Sequence, residues 1–210
     1  MEQNRSETRL GCVVLASGSA RRFGANKLTA ELRGETLIRR TLESVPAEQF
    51  FRVVVVTPYP EIAALAEAFS FTAVFNPHPE QGVSGTIRLG LTALGPCDAA
   101  LFQVADQPLL RRESVEKLTA LCRAHPDHIV ALGHGGVRGN PCLFPARFFP
   151  ELMELQGDRG GSAVIRAHEK HLLLCETPAE ELSDVDTPEA LAALGAEPRR
   201  SEPDREPSRI

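Results

Sequence analysis

At 210 residues the chain suits one α/β domain better than two. Hydrophobic residues make up 42 %, ample for a core, and a net charge of −5 argues against the basic face that a nucleic-acid partner would need. No apolar run is long enough to span a membrane, and the polar residues 1–9 lack the apolar core of a signal peptide, so the cytoplasm is the expected location and no membrane partner is expected.

The first apolar run, residues 11–16, reads as a strand and stops abruptly at Ala16-Ser17-Gly18-Ser19-Ala20. Small residues let backbone N–H groups approach an anion, and the loop then delivers Arg22 and, five positions later, Lys27. Such a loop suits a polyphosphate, the alternative being an ordinary strand-to-helix turn with surface cations, and it is of neither familiar phosphate-binding kind. Gly18 and Gly24 are too far apart for a Walker loop, and Gly-x-Gly-x-x-Gly is absent here. Leu37, Ile38, Thr41, Leu42 and Val45 follow at helical spacing, then a strand over 52–57 and a helical stripe of Ile62, Leu65, Ala66 and Phe69.

A strand over 72–76 ends at Asn76, and Gln81-Gly82-Val83-Ser84-Gly85-Thr86-Ile87-Arg88 opens a helical stripe through Ile87, Leu91 and Leu94. Hydroxyls and backbone N–H groups at a helix start suit an anion or a base edge, or simply cap the helix. Residues 82–86 also imitate a nucleophile elbow but lack its final glycine, so a hydrolase is set aside. The apolar strand over 99–104 ends on Asp106, just before Pro108, where a carboxylate is well placed to hold Mg²⁺ beside phosphates. Val115, Leu118, Leu121 and Cys122 mark a further helix, and 128–132, 141–144 and 171–175 read as strands. In Asp184-Val185-Asp186-Thr187-Pro188, Thr187 and Pro188 make a helix start, which leaves both aspartates unexplained. Alternate residues of an extended segment share a side, so one of the two could join Asp106 around a metal.

Strands that are nearly continuous in Val, Ile and Leu and alternate with helices predict a three-layer α/β/α sandwich with a mostly parallel sheet, Rossmann-like, with functional residues beyond the strand carboxyl ends. The expected organisation is a flexible stretch over 1–9, one domain over 10–195, and a disordered tail over 196–210, whose Glu, Arg, Pro and Ser cannot bury apolar surface. Five scattered cysteines without a Cys-x-x-Cys pair predict buried reduced thiols rather than a disulfide framework or a zinc site.

In series these motifs resemble the nucleotidyltransferases of the glycosyltransferase-A-like, nucleotide-diphospho-sugar-transferase-like fold, most of all the MobA-like molybdenum cofactor cytidylyltransferases. The similarity rests on Leu15-Ala16-Ser17-Gly18-Ser19-Ala20-Arg21-Arg22-Phe23-Gly24-Ala25-Asn26-Lys27, on Gly82-Val83-Ser84-Gly85-Thr86, and on Asp106-Gln107-Pro108. It continues through Arg138-Gly139-Asn140-Pro141, Gly157-Asp158-Arg159-Gly160 and Asp184-Val185-Asp186. The resemblance implies that Arg22 and Lys27 grip the triphosphate and, with Asp106, carry catalysis. It implies that Leu15, Ala16, Ser17, Gly18, Asn76, Gly82 and Thr86 hold base and ribose, and that Asp106 and Asp186 bind Mg²⁺, with Mn²⁺ as a substitute. Arg138, Asn140, Pro141 and Asp158 would face the second substrate, a pterin phosphate.

The implied reaction moves CMP from CTP to the phosphate of molybdopterin with release of pyrophosphate, serving a molybdoenzyme or its maturation chaperone. Ser17 stands where relatives have Ala or Gly, which leaves GTP as an alternative nucleotide; Ala20 replaces a hydroxyl residue, and Thr86 replaces Ser. Other acceptors, such as a sugar, alditol or lactate phosphate, are the nearest alternatives. A sugar-nucleotide glycosyltransferase using Asp184-Val185-Asp186 and a non-catalytic cofactor carrier stand further off.

Overall fold

Seven strands come together in one sheet because the apolar runs of this sequence have two faces to bury. The computed structural model describes residues 8–18 and 26–195. The expected tail over 196–210, residues 1–7 and the stretch 19–25 with Arg22 lie outside the described residues.

The chain runs β1 (Leu10–Leu15), β2 (Glu31–Leu32), β3 (Glu35–Thr36), α1 (Leu37–Glu43), β4 (Arg52–Thr57), α2 (Pro60–Ala68), β5 (Thr72–Phe75), α3 (Val83–Leu94) and β6 (Ala99–Val104). It continues with α4 (Arg112–Ala124), β7 (Ile129–His134), β8 (Val137–Pro145), α5 (Phe149–Glu154), α6 (Ser162–Ala167), β9 (Leu172–Glu176) and α7 (Pro188–Gly195). The sheet order is β5-β4-β1-β6-β8-β7-β9. Every neighbouring pair is parallel except the two that β8 makes with β6 and β7. The sheet is therefore mostly parallel, as the apolar runs imply.

Alternation along β1 divides the core. Cys12, Val14 and Ala16 pack with Ile38 and Leu42 of α1, Ile62 of α2 and Val115 and Leu118 of α4. Val13 packs on the other face with Ile87, Leu91 and Leu94 of α3, Leu152 of α5 and Ile165 of α6. This is the three-layer α/β/α sandwich. Among the described residues no helix is long and apolar enough to cross a membrane. All five cysteines are free, and Cys12, Cys122 and Cys142 are buried.

Two local features escape the hydrophobic pattern. The β2–β3 hairpin has two residues a side, too few for a period of two to register, and its turn rests on Arg33 (φ 55°) and Gly34 (φ 83°). More consequentially, the strand expected over 141–144 starts earlier and takes in the Arg138-Gly139-Asn140-Pro141 motif: β8 begins at Val137. The β7–β8 turn is made by Gly135 (φ 56°) and Gly136 (φ 82°), which lets the chain fold straight back. Polar Arg138 and Asn140 stand at half-buried positions there, so no apolar alternation marks the start of the strand.

Because β1 lies between β4 and β6, the chain leaves β1 toward one side of the sheet and later returns on the other. The carboxyl ends of β1 and β6, in register at Leu15 and Val104, therefore frame a crevice at the topological switch point.

Helix α3 lies against β1 so closely that a Cβ on Gly90 would stand 2.3 Å from Val13 Cγ1. Alanine normally gains about 1 kcal/mol over glycine inside a helix, but overpacking a core costs about 1–3 kcal/mol. Gly90→Ala is expected to lower the free energy of unfolding in urea by about 1 kcal/mol or more.

Candidate active site

A cleft of about 250 Å³ opens at the β1–β6 crevice. Its lining includes Leu15, Ser17, Gly18, Lys27, Gly82, Thr86, Asp106 and Asp158. Beyond β1 the backbone stays tied to the sheet: Ala16 N and Ser17 Oγ both donate to Val56 O at 3.0 Å. Ser17 thus spends its hydroxyl on β4, while Ala16 points its side chain into the core. Gly18 O accepts from Tyr59 Oη at 3.3 Å.

Asn26 starts the short helical turn that carries Lys27, its side chain accepting from Leu28 N at 3.1 Å, and buried Leu28 holds that turn down. Lys27 Nζ donates to Asp106 Oδ2 at 2.8 Å and to Asp186 Oδ1 at 3.0 Å. Its side chain is only 11 % exposed, against 25 % for Asp106 and 62 % for Asp186. Partial burial pulls the Lys27 amine down, but the two carboxylates outweigh it and raise it above the ordinary lysine value of 10.5.

Two further ties place the carboxylates. Thr41 Oγ1 of α1 donates to Ala105 O at 3.0 Å, next to Asp106. Gln103 Nε2, buried on β6, donates to Thr41 O and Ser44 Oγ, so the end of β6 is locked onto α1. Val185 N donates to Asp106 O at 2.9 Å, and the Val185 side chain is fully buried with Leu32 and Leu37. This peg turns the flanking Asp184 and Asp186 toward solvent and the site. Thr187 caps α7 as its sequence suggests, accepting from Ala190 N. Asp186 is the aspartate that joins Asp106 on Lys27. Asp184 keeps contact with water, yet partial desolvation, then the Asp106 charge, raises its carboxyl above the usual range. Gln107 Nε2 donates to Leu182 O and steadies this segment from below.

Gly82 (φ 78°) leads into α3. A Cβ there would lie 2.4 Å from Asp158 Oδ1 and 2.6 Å from Gly157 backbone atoms, and Ser84 N donates to Gly157 O at 3.1 Å. The residues 82–86 turn and the residues 157–160 loop are therefore one packed wall. Thr86 faces the cleft, while Asn76 does not line it. Buried Asn76 is a brace: its Nδ2 donates to Thr86 Oγ1 at 3.4 Å and its Oδ1 accepts from His78 N.

A second cavity of about 200 Å³ adjoins the first, sharing Leu15, Val83, Val104 and Asp158. Arg138 and Asn140 of β8 line it beside apolar Ile87, Phe102 and Phe144. Arg138 Nη2 donates to Ser162 Oγ at 3.2 Å. Pro141 is buried and lines neither cavity. Cys142, also on this wall, has its thiol pushed up to about 11 by burial, which disfavours the thiolate. The structure thus gathers the sequence-selected Lys27, Asp106, Asp186, Gly82, Thr86 and Asp158 at one place, with Arg138 and Asn140 next door. Sequence reasoning missed Thr41, Gln103 and Val185, which act only through contacts far along the chain.

Among the described residues no group of three or more His, Cys, Asp or Glu is placed to hold a metal by itself. Asp106 and Asp186 nevertheless fit a hard divalent cation: Mg²⁺ commonly takes one or two carboxylates and fills its shell with water and substrate phosphate oxygens.

The sequence pattern of the MobA-like NTP transferase domain matches residues 12–172, which span β1 to the start of β9 and so include both cavities. The chain belongs to the MobA-like NTP transferase domain family. Among individual proteins it is similar to the purine catabolism protein PucB of Bacillus subtilis strain 168, 29 % identical over 191 residues covering 84 % of this chain and 91 % of PucB. Its fold is that of Rv0371c from Mycobacterium tuberculosis H37Rv, with a TM-score of 0.74 at 21 % identity over 90 % of this chain and 99 % of that one. The same mycobacterial protein is known in a complex with manganese, with a TM-score of 0.68 at 22 % identity over 89 % and 98 % of the two chains. A CMP:2-keto-3-deoxy-manno-octonic acid synthetase complexed with CTP superposes with a TM-score of 0.69 at 14 % identity over 90 % and 97 %. This family member is accordingly a nucleotidyltransferase by kind.

Gly82→Ala is expected to push the residues 157–160 loop away from α3, lowering both nucleotide affinity and melting temperature; a nucleotide titration followed by a thermal melt checks this. Lys27 carries a raised amine, so the stability it contributes is complete below the ordinary lysine value and is lost as pH rises above it. In denaturation series from pH 8 to 12, the gap between wild type and Lys27→Met is expected to hold steady to about pH 10 and then close.

Proposed function

We propose that this nucleotidyltransferase moves CMP from CTP to the terminal phosphate of molybdopterin and releases pyrophosphate. The observation that carries the reading is Lys27, clasped by Asp106 and Asp186 on the floor of one cavity, with a second, arginine-bearing cavity sharing a wall with it. One cavity takes the nucleotide and the other the acceptor, so the acceptor phosphate and the α-phosphorus meet along Leu15, Val104 and Asp158.

An acceptor phosphate oxygen is already anionic, so no protein nucleophile is needed. The acceptor oxygen bonds to the α-phosphorus as the bond to the pyrophosphate oxygen breaks, and no proton moves in that step. Lys27 supplies positive charge to the departing pyrophosphate, and Arg22, by its place in the loop motif, is assigned the same task. A Mg²⁺ or Mn²⁺ ion on Asp106 and Asp186 would contribute charge neutralisation between the two phosphate groups. Arg138 orients the acceptor phosphate, and apolar Phe102 and Phe144 accompany it against the flat body of a pterin. The manganese-bound relative and the CTP-bound relative support the metal and the nucleotide in this reading.

The choice of CTP over GTP rests on Ser17. Its side chain fills space at the cleft floor that a glycine would leave open, and its hydroxyl is already committed to Val56 O. A side chain rather than a bare hydrogen at this position narrows the cleft, which favours the smaller pyrimidine base in this reading. The product would pass to a molybdoenzyme or its maturation chaperone.

Pyrophosphate release measured with each NTP in turn, with molybdopterin as acceptor and product analysis, tests the proposal. CTP is expected to give a CMP–pterin product. Lys27→Ala and Asp106→Ala are each expected to lower kcat/KM by about 10²–10³-fold. Arg138→Ala is expected to raise KM for the acceptor while leaving that for CTP near its starting value. Near-normal turnover in Lys27→Ala would overturn the assignment.

A further inference from the structure

Lys27 stands where a cation bound to Asp106 and Asp186 would stand. Its ammonium donates to both carboxylates at 2.8 and 3.0 Å, and its side chain is largely covered. With no third carboxylate, His or Cys placed to complete a metal shell among the described residues, a divalent ion arriving alone would meet two ligands already neutralised in part by a lysine. The entering triphosphate changes this balance. It offers Lys27 a denser set of anionic oxygens and brings the phosphate oxygens that an ion needs to fill its coordination.

We propose that Lys27 is an internal stand-in for the metal: it occupies the Asp106–Asp186 pair until a nucleotide draws it away, so that divalent metal and nucleotide bind with positive coupling and the enzyme takes up its ion as part of a metal–nucleotide unit. This rests on the nucleotidyl-transfer reading above and adds an order to it. The anchoring of each partner supports a swing of Lys27 alone. Asp106 is held by the Thr41–Ala105 and Val185–Asp106 hydrogen bonds, and Asp186 by the buried Val185 next to it. Lys27 has a long side chain on a single short helical turn beside the cleft, with Gly18 and Thr86 lining the same space. Turning about its own rotatable bonds, its Nζ can exchange carboxylates for phosphates without moving the backbone. The arrangement also keeps the carboxylates apart from stray cations while the cleft is empty.

The test uses Mn²⁺ as the probe, titrated by electron paramagnetic resonance and by calorimetry, with and without α,β-methylene-CTP and corrected for Mn²⁺ binding to the free analogue. The wild-type protein is expected to bind Mn²⁺ weakly alone and about 5–150-fold more tightly with the analogue. Lys27→Met is expected to bind Mn²⁺ alone several-fold more tightly than wild type, with the coupling falling toward one. Lys27→Gln, which keeps polarity without the charge on a side chain one atom shorter, is expected to do the same and serves should the methionine variant fail to fold by circular dichroism. Asp106→Asn is expected to lose the Mn²⁺ signal in both conditions. Mn²⁺ binding in either folded lysine variant that equals or falls below that of wild type overturns the inference. Absence of CTP turnover with Lys27-dependent coupling intact would instead sink the reading of the reaction and leave the stand-in role standing.

Discussion

Three charges from three distant parts of the chain meet at Lys27 Nζ: Asp106 lies 79 positions away and Asp186 lies 159. Nothing local could hold them there. Lone pairs of opposite charge near a surface contribute little, because water screens them and ordering two long side chains costs entropy. Here the screening is reduced, since the Lys27 side chain is mostly covered, and the ordering falls on the fold rather than on the ion pair. The parallel sheet fixes the end of β6, α1 clamps Ala105, and a single buried valine brings in the C-terminal segment. The rest of the site is arranged around that convergence: one cavity on the Lys27 side, another on the Arg138 side, and Asp158 common to both.

The layering of the molecule was readable from its apolar runs because burial on both faces leaves an unbroken Val, Ile and Leu signature. Residues 52–57, with four consecutive valines, are the plainest case, and the strand stands where the pattern puts it. Legibility failed where period and environment part. The β2–β3 hairpin is too short for any period. The first half of β8 carries Arg138 and Asn140 at half-buried positions beside a cavity rather than in the core, and its sequence therefore looks like a loop although its backbone is paired with β7. The antiparallel direction of β8 had no sequence signal apart from the Gly135-Gly136 turn.

The site was legible to a different extent. Lys27, Asp106 and Asp186 could be selected on separate grounds: a cation ending a loop of small residues, a carboxylate just past an apolar strand, and an aspartate that the Thr187-Pro188 helix start leaves unexplained. Val185 turns both Asp184 and Asp186 outward by its burial, and that Asp186 is the one to meet Lys27 follows only from where the fold places the segment. Asn76 looked like a contact for ligand and is instead a buried amide bracing Thr86 and His78; a polar residue at a strand end serves either purpose with the same sequence. Thr41 and Gln103 were invisible for the complementary reason. They sit within apolar stretches, and their hydrogen bonds run across 64 and 62 positions.

The reversed strand β8 has a consequence for how such a protein can change. In a purely parallel sheet, everything that touches ligand comes from loops at one rim, so altering one substrate's surroundings disturbs the other's. Here the half of the cleft around Arg138 hangs on a hairpin paired to β6 only from Phe102 back to Ala99 and turned by two glycines. Substitutions along that hairpin leave its register unchanged, and each residue that faces the second cavity can present a new side chain there while the β1–β6 rim stays intact. The architecture separates the Lys27 side of the crevice from a finger that furnishes the second cavity; in the reading proposed above, the first handles the triphosphate and the finger sets what receives the nucleotide.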